Sequence, residues 1–250
     1  MKFFQLLGFT IQFMTRIPIN KEFKVTERDF GAMTMFFPAS AAMVGAIMAA
    51  VYWLFSLAGL QWAGAVGSVV AACAVTGALH VDGFADMADA FGANKDKKRT
   101  LEILKDSHMG AYGVLAIVFI VLIKVVLIGS IPNTQALLIV AGTPVAGKIP
   151  MAVAAARGNY PREEGTGKHT IDHVKPWHSI VCIIICTALL YLCARWPAVI
   201  LLPVLVAAGF ILTAVSNKKI EGVTGDILGA ANEVGEMLWL LFAALWCALV

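Results

Sequence analysis

The sequence predicts an all-α fold: a polytopic membrane bundle of about seven transmembrane helices, preceded by an N-terminal interfacial helix. Three observations lead to it. The 250 residues are 60% hydrophobic and only 14% charged, which is far too apolar for a soluble domain of this size. The apolar residues form runs long enough to cross a hydrocarbon core of about 30 Å as helices. The basic residues gather between alternate runs, as they do in multi-pass proteins.

Seven apolar runs define the expected spans, and six or eight spans are the alternatives. They cover residues 36–57, 62–79, 110–130, 134–156, 178–194, 197–215 and 237–250. The last run is short, so we expect it to tilt little or to insert only partly. The preceding residues 1–15 are apolar but are broken by Gln5, Thr10 and Gln12, without a small-residue cleavage site. This pattern favours an interfacial helix over a secretory signal peptide.

The linkers predict the orientation. With the N-terminus in the cytoplasm, the inner connections are residues 80–109, 157–177 and 216–236. Of the 19 Lys and Arg residues, all but Lys124, Lys148 and Arg195 then lie inside, as the positive-inside rule requires. All 16 acids are expected there too. Residues 1–250 are therefore predicted to form one domain of the cytoplasmic (inner) membrane, with the active site on the cytoplasmic loops and inner helix ends.

An acidic stripe, Asp82-Gly-Phe-Ala-Asp86-Met-Ala-Asp89, follows the second apolar run. On a helix, carboxylates spaced by four and three residues share one face. Carboxylate oxygens suit Mg²⁺, Mn²⁺ or Ca²⁺. The stripe is therefore a candidate metal site, and the alternative is a solvated acidic helix end.

A second polar segment runs from Arg99 to His108. Arg99, Glu102 and Asp106 recur at helical spacing, so a self-paired helix at the membrane edge explains them without any function. The functional interpretation has Asp106 completing the metal shell while Lys105 or Arg99 meets a phosphate.

A third polar segment lies before the last apolar run. Asp226 and Glu233 are seven residues apart and share a helix face, and Glu236 begins the run. An acid so close to the hydrocarbon has a partner or a function. Asp226 is a candidate metal ligand, and the structural alternative pairs these acids with Lys or Arg of another inner loop.

The basic residues offer candidate phosphate ligands. Lys148, in the inner half of the fourth span, either extends toward the cytoplasmic edge or reaches a bound phosphate, and both readings stay open. Lys124, near the outer end of its span, is expected to extend outward. Metal-binding carboxylates interleaved with bases suit phosphoryl transfer. The net charge of +3 is modest, so we expect contact with lipid headgroups and none with nucleic acid.

Three segments, residues 76–89, 101–113 and 225–236, closely resemble the signature segments of the cobalamin synthase family, the adenosylcobinamide-GDP ribazoletransferases. The Thr15-Arg16-Ile-Pro18 segment and the loop of residues 162–167 are similar to that family as well. The resemblance implies transfer of α-ribazole, or its 5′-phosphate, onto adenosylcobinamide-GDP with loss of GMP. It also implies a requirement for Mg²⁺.

On this reading each candidate residue has an expected role. The metal ligands are Asp82, Asp86, Asp89, Asp106 and Asp226. The candidate base is Asp89 or His80, the phosphate ligands are Lys105, Lys148, Arg157 and Arg162, and the supporting residues are Arg16, Glu233 and Glu236. The expected partners are the two substrates, the bilayer and other cobalamin-assembly enzymes, and glycine and alanine in the fourth span permit a homo-oligomer.

Two alternatives come from other classes of protein. A phospholipid synthase of the CDP-alcohol phosphotransferase type performs related chemistry, but its motif has Ala-Arg where this chain has Asp86-Met87. A cation transporter would use the acids to line a conduction path. The acids are expected to cluster at one face instead of crossing the midplane, which argues against a transporter.

Overall fold

The structure is a computed structural model that describes residues 2–165 and 167–249. Every regular element in that part of the chain is helical, which confirms the predicted fold class. The helices are α1 Lys2–Met14, α2 Glu27–Ala32, α3 Phe37–Ser56, α4 Gln61–Thr76, α5 Leu79–Gly92, α6 Lys97–Ile103, α7 Ala111–Ser130, α8 Asn133–Arg157, α9 Lys168–His173, α10 Pro176–Ala194, α11 Trp196–Ile220 and α12 Gly225–Leu249. A short 3₁₀ turn, Met33–Phe36, joins α2 to α3.

Six helices are individually long and apolar enough to cross a membrane, with α2 and α3 counted as one, and a bent pair, α4 and α5, supplies a seventh span. The two helices of this pair meet at 90°. Helix α5 carries the three stripe aspartates and lies across one end of the bundle, which we call the aspartate end. The six or seven candidate spans agree with the predicted bundle of about seven.

The predicted length of the last span is wrong. Helix α12 is 25 residues long and begins at Gly225, so the candidate span is not short. Glu233 and Glu236 are buried within it, whereas the sequence placed them in an inner loop. Two acids lower the hydropathy of the segment, and the cation that lets them be buried comes from a distant part of the chain.

Helix α8 is the centre of the bundle and packs against α3, α10, α11 and α12. Its small residues let neighbouring backbones approach closely. A Cβ added at Gly147 would lie 2.6 Å from Oδ1 of Asn232, and one added at Gly45 would lie 2.0 Å from the Ala141 carbonyl oxygen. The glycines and alanines of the fourth span thus serve packing within this chain.

The turn between α4 and α5 sets the position of the acidic stripe. Gly77 and Ala78 both have positive φ, 65° and 58°, and so redirect the chain across the aspartate end of the bundle. Helix α5 then lies directly against the start of α12, where a Cβ at Gly83 would be 2.8 Å from the Asp226 carbonyl oxygen. This close contact brings two sequence-distant acidic segments together.

Candidate active site at the aspartate end of the bundle

The contact between α5 and α12 brings Asp86 close to Asp82, Asp89 and Asp226. Burial, followed by the charges of these neighbours, raises the pKa of the Asp86 carboxyl to about 7, while Arg162 opposes the shift. The charges that act on Asp86 and its neighbours are therefore four carboxylates and one guanidinium, that of Arg162. Such an arrangement favours binding of an added cation.

Arg162 lies beside Asp226 and is largely buried. Its Nη2 atom is 3.7 Å from Oδ2 of Asp226, and its side chain is only 10% exposed. Its Nε atom is buried and has no hydrogen-bond partner among the described residues. A buried guanidinium donor without an acceptor is costly, and a phosphate oxygen is an acceptor that suits its geometry.

A cavity of about 180 Å³ opens beside these groups. Asp82 and Asp226 form part of its wall, and His80 lies deeper in it. The rest of the wall is mainly apolar or small: Phe13, Met14, Met33, Phe37, Leu79, Gly83, Met151, Gly167, Thr170, Gly225, Leu228 and Gly229. An apolar pocket with a few convergent polar groups is typical of a small-molecule site.

Asp89 is engaged with the start of α7. Its two carboxylate oxygens accept hydrogen bonds from the backbone N–H groups of Gly110, at 2.7 Å, and Gly113, at 2.8 Å. A Cβ added at Gly113 would lie 2.2 Å from Oδ2 of Asp89, so only glycine fits there. Asp89 thus caps α7, and its roles as base or metal ligand remain predictions.

The structure does not bring Asp106 and Lys105 to the other acids. Both residues are exposed, and Asp106 is 2.7 Å from Nδ1 of His108. Hydrogen bonds from the backbone and side chain of His108 lower the pKa of Asp106. Arg99 pairs with Glu102 at 2.8 Å, so this segment pairs its own charges, as the structural alternative predicted.

The interior of the bundle contains an ion-pair cluster that the sequence did not predict. Nζ of Lys124 lies 2.5 Å from Glu233 and 2.6 Å from Glu236, and all three residues are buried. The prediction that Lys124 extends outward is therefore wrong, as is the prediction that all acids lie in the inner connections. The partner of the two glutamates belongs to α7, not to an inner loop.

A second interior group adjoins the first. Lys148 is 3% exposed and does not reach the cytoplasmic edge. Its ammonium donates to Oδ1 of Asn232 at 2.7 Å and lies 3.0 Å from Nε2 of His80. Asn232 in turn donates to Glu236 at 2.8 Å, which joins the two groups. His80 also lines the cavity of about 180 Å³ beside Asp82 and Asp226, so the network extends from the interior of the bundle to the acidic site.

The remaining candidates lie apart from the aspartates. The Arg157 guanidinium is 5.1 Å from the centre of the Phe210 ring on α11. Arg16 lies over the α4–α5 turn, where its backbone N–H donates to the Val75 carbonyl at 2.7 Å and its side chain contacts Gly77. Arg16 thus supports the turn that orients α5.

Sequence reasoning missed the roles of Lys124 and Asn232. Lys124 has no partner at helical spacing, because Glu233 and Glu236 lie on another helix. Asn232 bonds to Glu236 one turn along α12, but its other partner, Lys148, lies on α8. The signal that could have indicated them is chemical: an ionisable or amide side chain within a long apolar run needs a buried partner.

The comparisons with known proteins identify the family. The family described as cobalamin-5-phosphate synthase matches residues 6–244. The adenosylcobinamide-GDP ribazoletransferase of Clostridium novyi (strain NT) is 35% identical over 232 residues, 92% of this chain and 93% of the relative. Those of Clostridium acetobutylicum and Syntrophobacter fumaroxidans are 34% and 33% identical, over 96% and 95% of this chain and 96% and 97% of the relatives.

No solved structure matches the chain. The family match and the relatives do not favour the phospholipid synthase or the cation transporter, and their extent leaves only short ends uncovered. The chain belongs to the cobalamin-5-phosphate synthase family and is a multi-pass membrane enzyme of cobalamin biosynthesis.

Proposed function

We propose that this enzyme joins α-ribazole, or its 5′-phosphate, to adenosylcobinamide-GDP with release of GMP, and that it requires Mg²⁺. The relatives carry the name of this transferase. The observation that carries the proposal is the group of four carboxylates offset by one arginine beside an open cavity. A pyrophosphate substrate needs a metal ion and a cationic side chain at the same place.

The residues present fit Mg²⁺. Asp82, Asp86 and Asp226 offer hard oxygen donors, and the raised pKa of Asp86 reflects both burial and the neighbouring negative charges. No three of these carboxylates have ligand atoms within 4.8 Å of one another in the described part of the chain. This spacing agrees with an ion that keeps several waters and uses one or two carboxylates. When bound, Mg²⁺ would offset phosphate charge and increase the electrophilicity of phosphorus.

Arg162 would bind and orient the pyrophosphate. Its partnerless Nε and its Nη2 beside Asp226 put donor groups next to the acids. Thr224 donates to Oδ2 of Asp226 at 3.0 Å and so restricts the orientation of that carboxylate. These contacts hold a cation and an anion-binding group in fixed relation, which lowers the entropy cost of aligning the reacting groups.

The transferred hydroxyl proton needs an acceptor, and both candidates already make contacts. Asp89 accepts two backbone hydrogen bonds, and Nε2 of His80 faces the Lys148 ammonium. Nε2 of His80 must give up its contact with the Lys148 ammonium to take a proton, whereas each Asp89 oxygen keeps a second lone pair that is not used by the backbone. The role of Asp89 or His80 as the base is a separate proposal from the metal and phosphate sites.

We also propose that the aspartate end faces the cytoplasm, in the inner membrane, because most Lys and Arg residues lie at that end. A cavity of about 180 Å³ accommodates only a fragment of a corrinoid nucleotide, since pockets that enclose drug-sized ligands measure about 300–1,000 Å³. The bulk of the corrinoid would remain outside the bundle, in the aqueous phase.

The test uses full-length protein in nanodiscs with adenosylcobinamide-GDP, α-ribazole and Mg²⁺. GMP release and the corrinoid product are both measured by chromatography. We expect Asp82→Asn and Asp226→Asn to reduce turnover by about a hundredfold or more, as loss of a group that stabilises transition-state charge does. Asp96→Asn is the matched control: it makes the same substitution at the aspartate end but in the exposed cap of α6.

Near wild-type turnover by Asp82→Asn and Asp226→Asn at limiting Mg²⁺ would contradict the metal assignment. GMP release without a corrinoid product would contradict the transferase activity. Release of CMP from CDP-diacylglycerol and an alcohol would instead identify a phospholipid synthase.

A further inference from the structure

A second group of metal-binding side chains lies at the aspartate end, outside the aspartate cluster. Helix α9 carries His169 and His173, one turn apart on the same face, and α2 contributes Glu27. Nδ1 of His169 is 3.9 Å from Oε1 of Glu27, and Nε2 of His173 is 3.8 Å from its Oε2. The three ligand atoms lie within 4.8 Å of one another, and no other described group of three or more does.

The two helices that carry these residues are held firmly together. A Cβ added at Gly31 on α2 would lie 2.1 Å from the His173 carbonyl oxygen, so the backbones are in direct contact. Glu27 begins α2 directly after Thr26, whose backbone N–H donates to Asp29 at 2.8 Å. The Phe30 ring packs against His169, with centroids 5.4 Å apart. The ligands are therefore brought together by the fold.

The orientation of His173 is the one that a metal ligand needs. Its Nδ1 atom lies 3.1 Å from the His169 carbonyl oxygen, which can only accept, so Nδ1 carries the proton. In the neutral ring, Nε2 then keeps its lone pair and faces Glu27. Metal-binding histidines are typically fixed in this way, by donation from the other ring nitrogen to a carbonyl or carboxylate.

We propose that Glu27, His169 and His173 bind a transition-metal ion of the Zn²⁺ class. Two imidazole nitrogens and one carboxylate suit Zn²⁺ and its neighbours, whereas Mg²⁺ prefers oxygen alone. Ligand atoms around a tetrahedral Zn²⁺ are roughly 3.4 Å apart, given bonds of about 2.0–2.1 Å. Closing the present separations requires small movements, and the exposed Glu27 side chain is free to make them.

The surroundings favour a cation and leave a coordination position open. Glu163, Glu164 and Asp172 line the same cavity, of about 350 Å³, together with the three ligands. The exposure of Glu27 and His169, at 69% and 44% of their side chains, leaves room for water as a fourth ligand. A site with three protein ligands and water fits the Zn²⁺ pattern.

The ion would tie α2 to the loop between α8 and α10. That loop matters for the active site because Gly167 and Thr170 line the aspartate-side cavity. Bound metal would therefore hold one wall of that cavity in place. The site is separate from the Mg²⁺ proposed above, and its existence does not depend on the proposed reaction.

The test measures metal binding directly. Tag-free protein in nanodiscs is stripped of metal, then titrated with Zn²⁺ against a chromophoric chelator in excess Mg²⁺, which occupies the oxygen sites. We expect one equivalent of Zn²⁺, with affinity at least tenfold weaker in His169→Gln, His173→Gln and Glu27→Gln. Co²⁺ bound in place of Zn²⁺ should give the visible absorption of a four-coordinate ion. His108→Gln is the control, since His108 is exposed at the same end and pairs with Asp106.

Two results would overturn the proposal: no stoichiometric Zn²⁺ binding to the wild-type protein, or equal affinity in the His108 and His169 variants. Activity need not change for the proposal to hold. Hydrogen exchange across residues 158–175, with and without Zn²⁺, tests the tie independently. If Zn²⁺ binds stoichiometrically but hydrogen exchange does not change, the metal does not stabilise the cavity wall, and that part of the proposal is wrong.

Discussion

The interior cluster and the aspartate site differ in how far their carboxylates are paired with cations. In the interior, Glu233 and Glu236 share Lys124 at 2.5 and 2.6 Å, and Lys148 adds a second cation beside Asn232. At the aspartate site, the cation that acts on Asp86 among the described residues is Arg162, which lies 3.7 Å from Asp226. The interior region contains its own counter-charges, whereas the aspartate site has one guanidinium for four carboxylates.

This difference separates structure from function. A buried charge without a partner is strongly unfavourable, so the interior charges must be matched before the bundle is stable. The aspartates lie nearer to water, which lowers the free-energy cost of an unpaired charge. They can therefore remain without a counter-charge until a cation binds from solution. The interior cluster should therefore govern stability, and the aspartate site should govern activity.

The largest expected effect comes from breaking the interior match. Lys124→Met leaves two buried carboxylates without a cation, and we expect the free energy of unfolding to fall by about 3–5 kcal/mol. Thermal unfolding in detergent, followed by tryptophan fluorescence, measures it. The triple variant Lys124→Met, Glu233→Gln, Glu236→Gln removes all three charges and should recover most of the loss. A single variant as stable as the wild type would contradict the comparison.

Asp89 provides a sharper test because it belongs to the aspartate site and also caps α7. Asp89→Ala removes the cap of α7, and we expect a stability loss of about 1–2 kcal/mol. Asp89→Asn keeps one acceptor oxygen and should lose less. If Asp89 acts mainly as a cap, the Asn variant will retain far more GMP release than Asp82→Asn. Equal loss of activity in the two would instead support its predicted role as base or metal ligand.

The Asp86 carboxyl should make stability depend on pH. Its pKa is about 7 in the folded chain against an ordinary value of 3.8, so the folded state binds the proton more strongly. Stability from this group is fully present below pH 3.8 and falls as the pH rises to about 7. In EDTA, the Tm should drop across this window by on the order of a few degrees.

Two changes should flatten that slope. Asp86→Asn removes the titrating group, and Mg²⁺ supplies the missing counter-charge. The test measures the Tm of the wild-type and Asp86→Asn proteins from pH 4 to pH 8, in EDTA and in Mg²⁺. Asp96→Asn is the matched control. An unchanged slope in Asp86→Asn would assign the effect to another group.

The sequence predicted most of what depends on local periodicity. Six apolar runs correspond to helices, and the spacing of Asp82, Asp86 and Asp89 correctly placed them on one helix. The close approach of α5 and α12 had to come from packing at Gly83 and Gly229, which spacing cannot reveal. The resemblance nevertheless placed Asp226 in the same site as the stripe, and the structure brings it there.

The predictions that were wrong concern partners far away in the chain. Lys124 lies 109 residues from Glu233, so no local pattern could indicate that a mid-span lysine stabilises two mid-span glutamates. For the same reason, the hydropathy of the last run underestimated the length of α12. The His169 and His173 pair was visible at helical spacing, but its third ligand, Glu27, comes from the other end of the chain.

The smallest effect on GMP release should come from Asp106→Asn. This variant tests directly whether the aspartate site is limited to the four acids around Asp86. The sequence and the resemblance predict Asp106 as a metal ligand, yet its carboxylate is exposed and held by His108. If the site consists of the acids around Asp86, Asp106→Asn should change GMP release by less than about twofold, as an exposed side chain outside the site does. The measurement is turnover across a Mg²⁺ titration, with Asp96→Asn beside it. A large rise in the Mg²⁺ needed for half-maximal rate, in Asp106→Asn alone, would mean that the loop before α7 folds inward when substrate binds. The carboxylates without counter-charge would then number five instead of four.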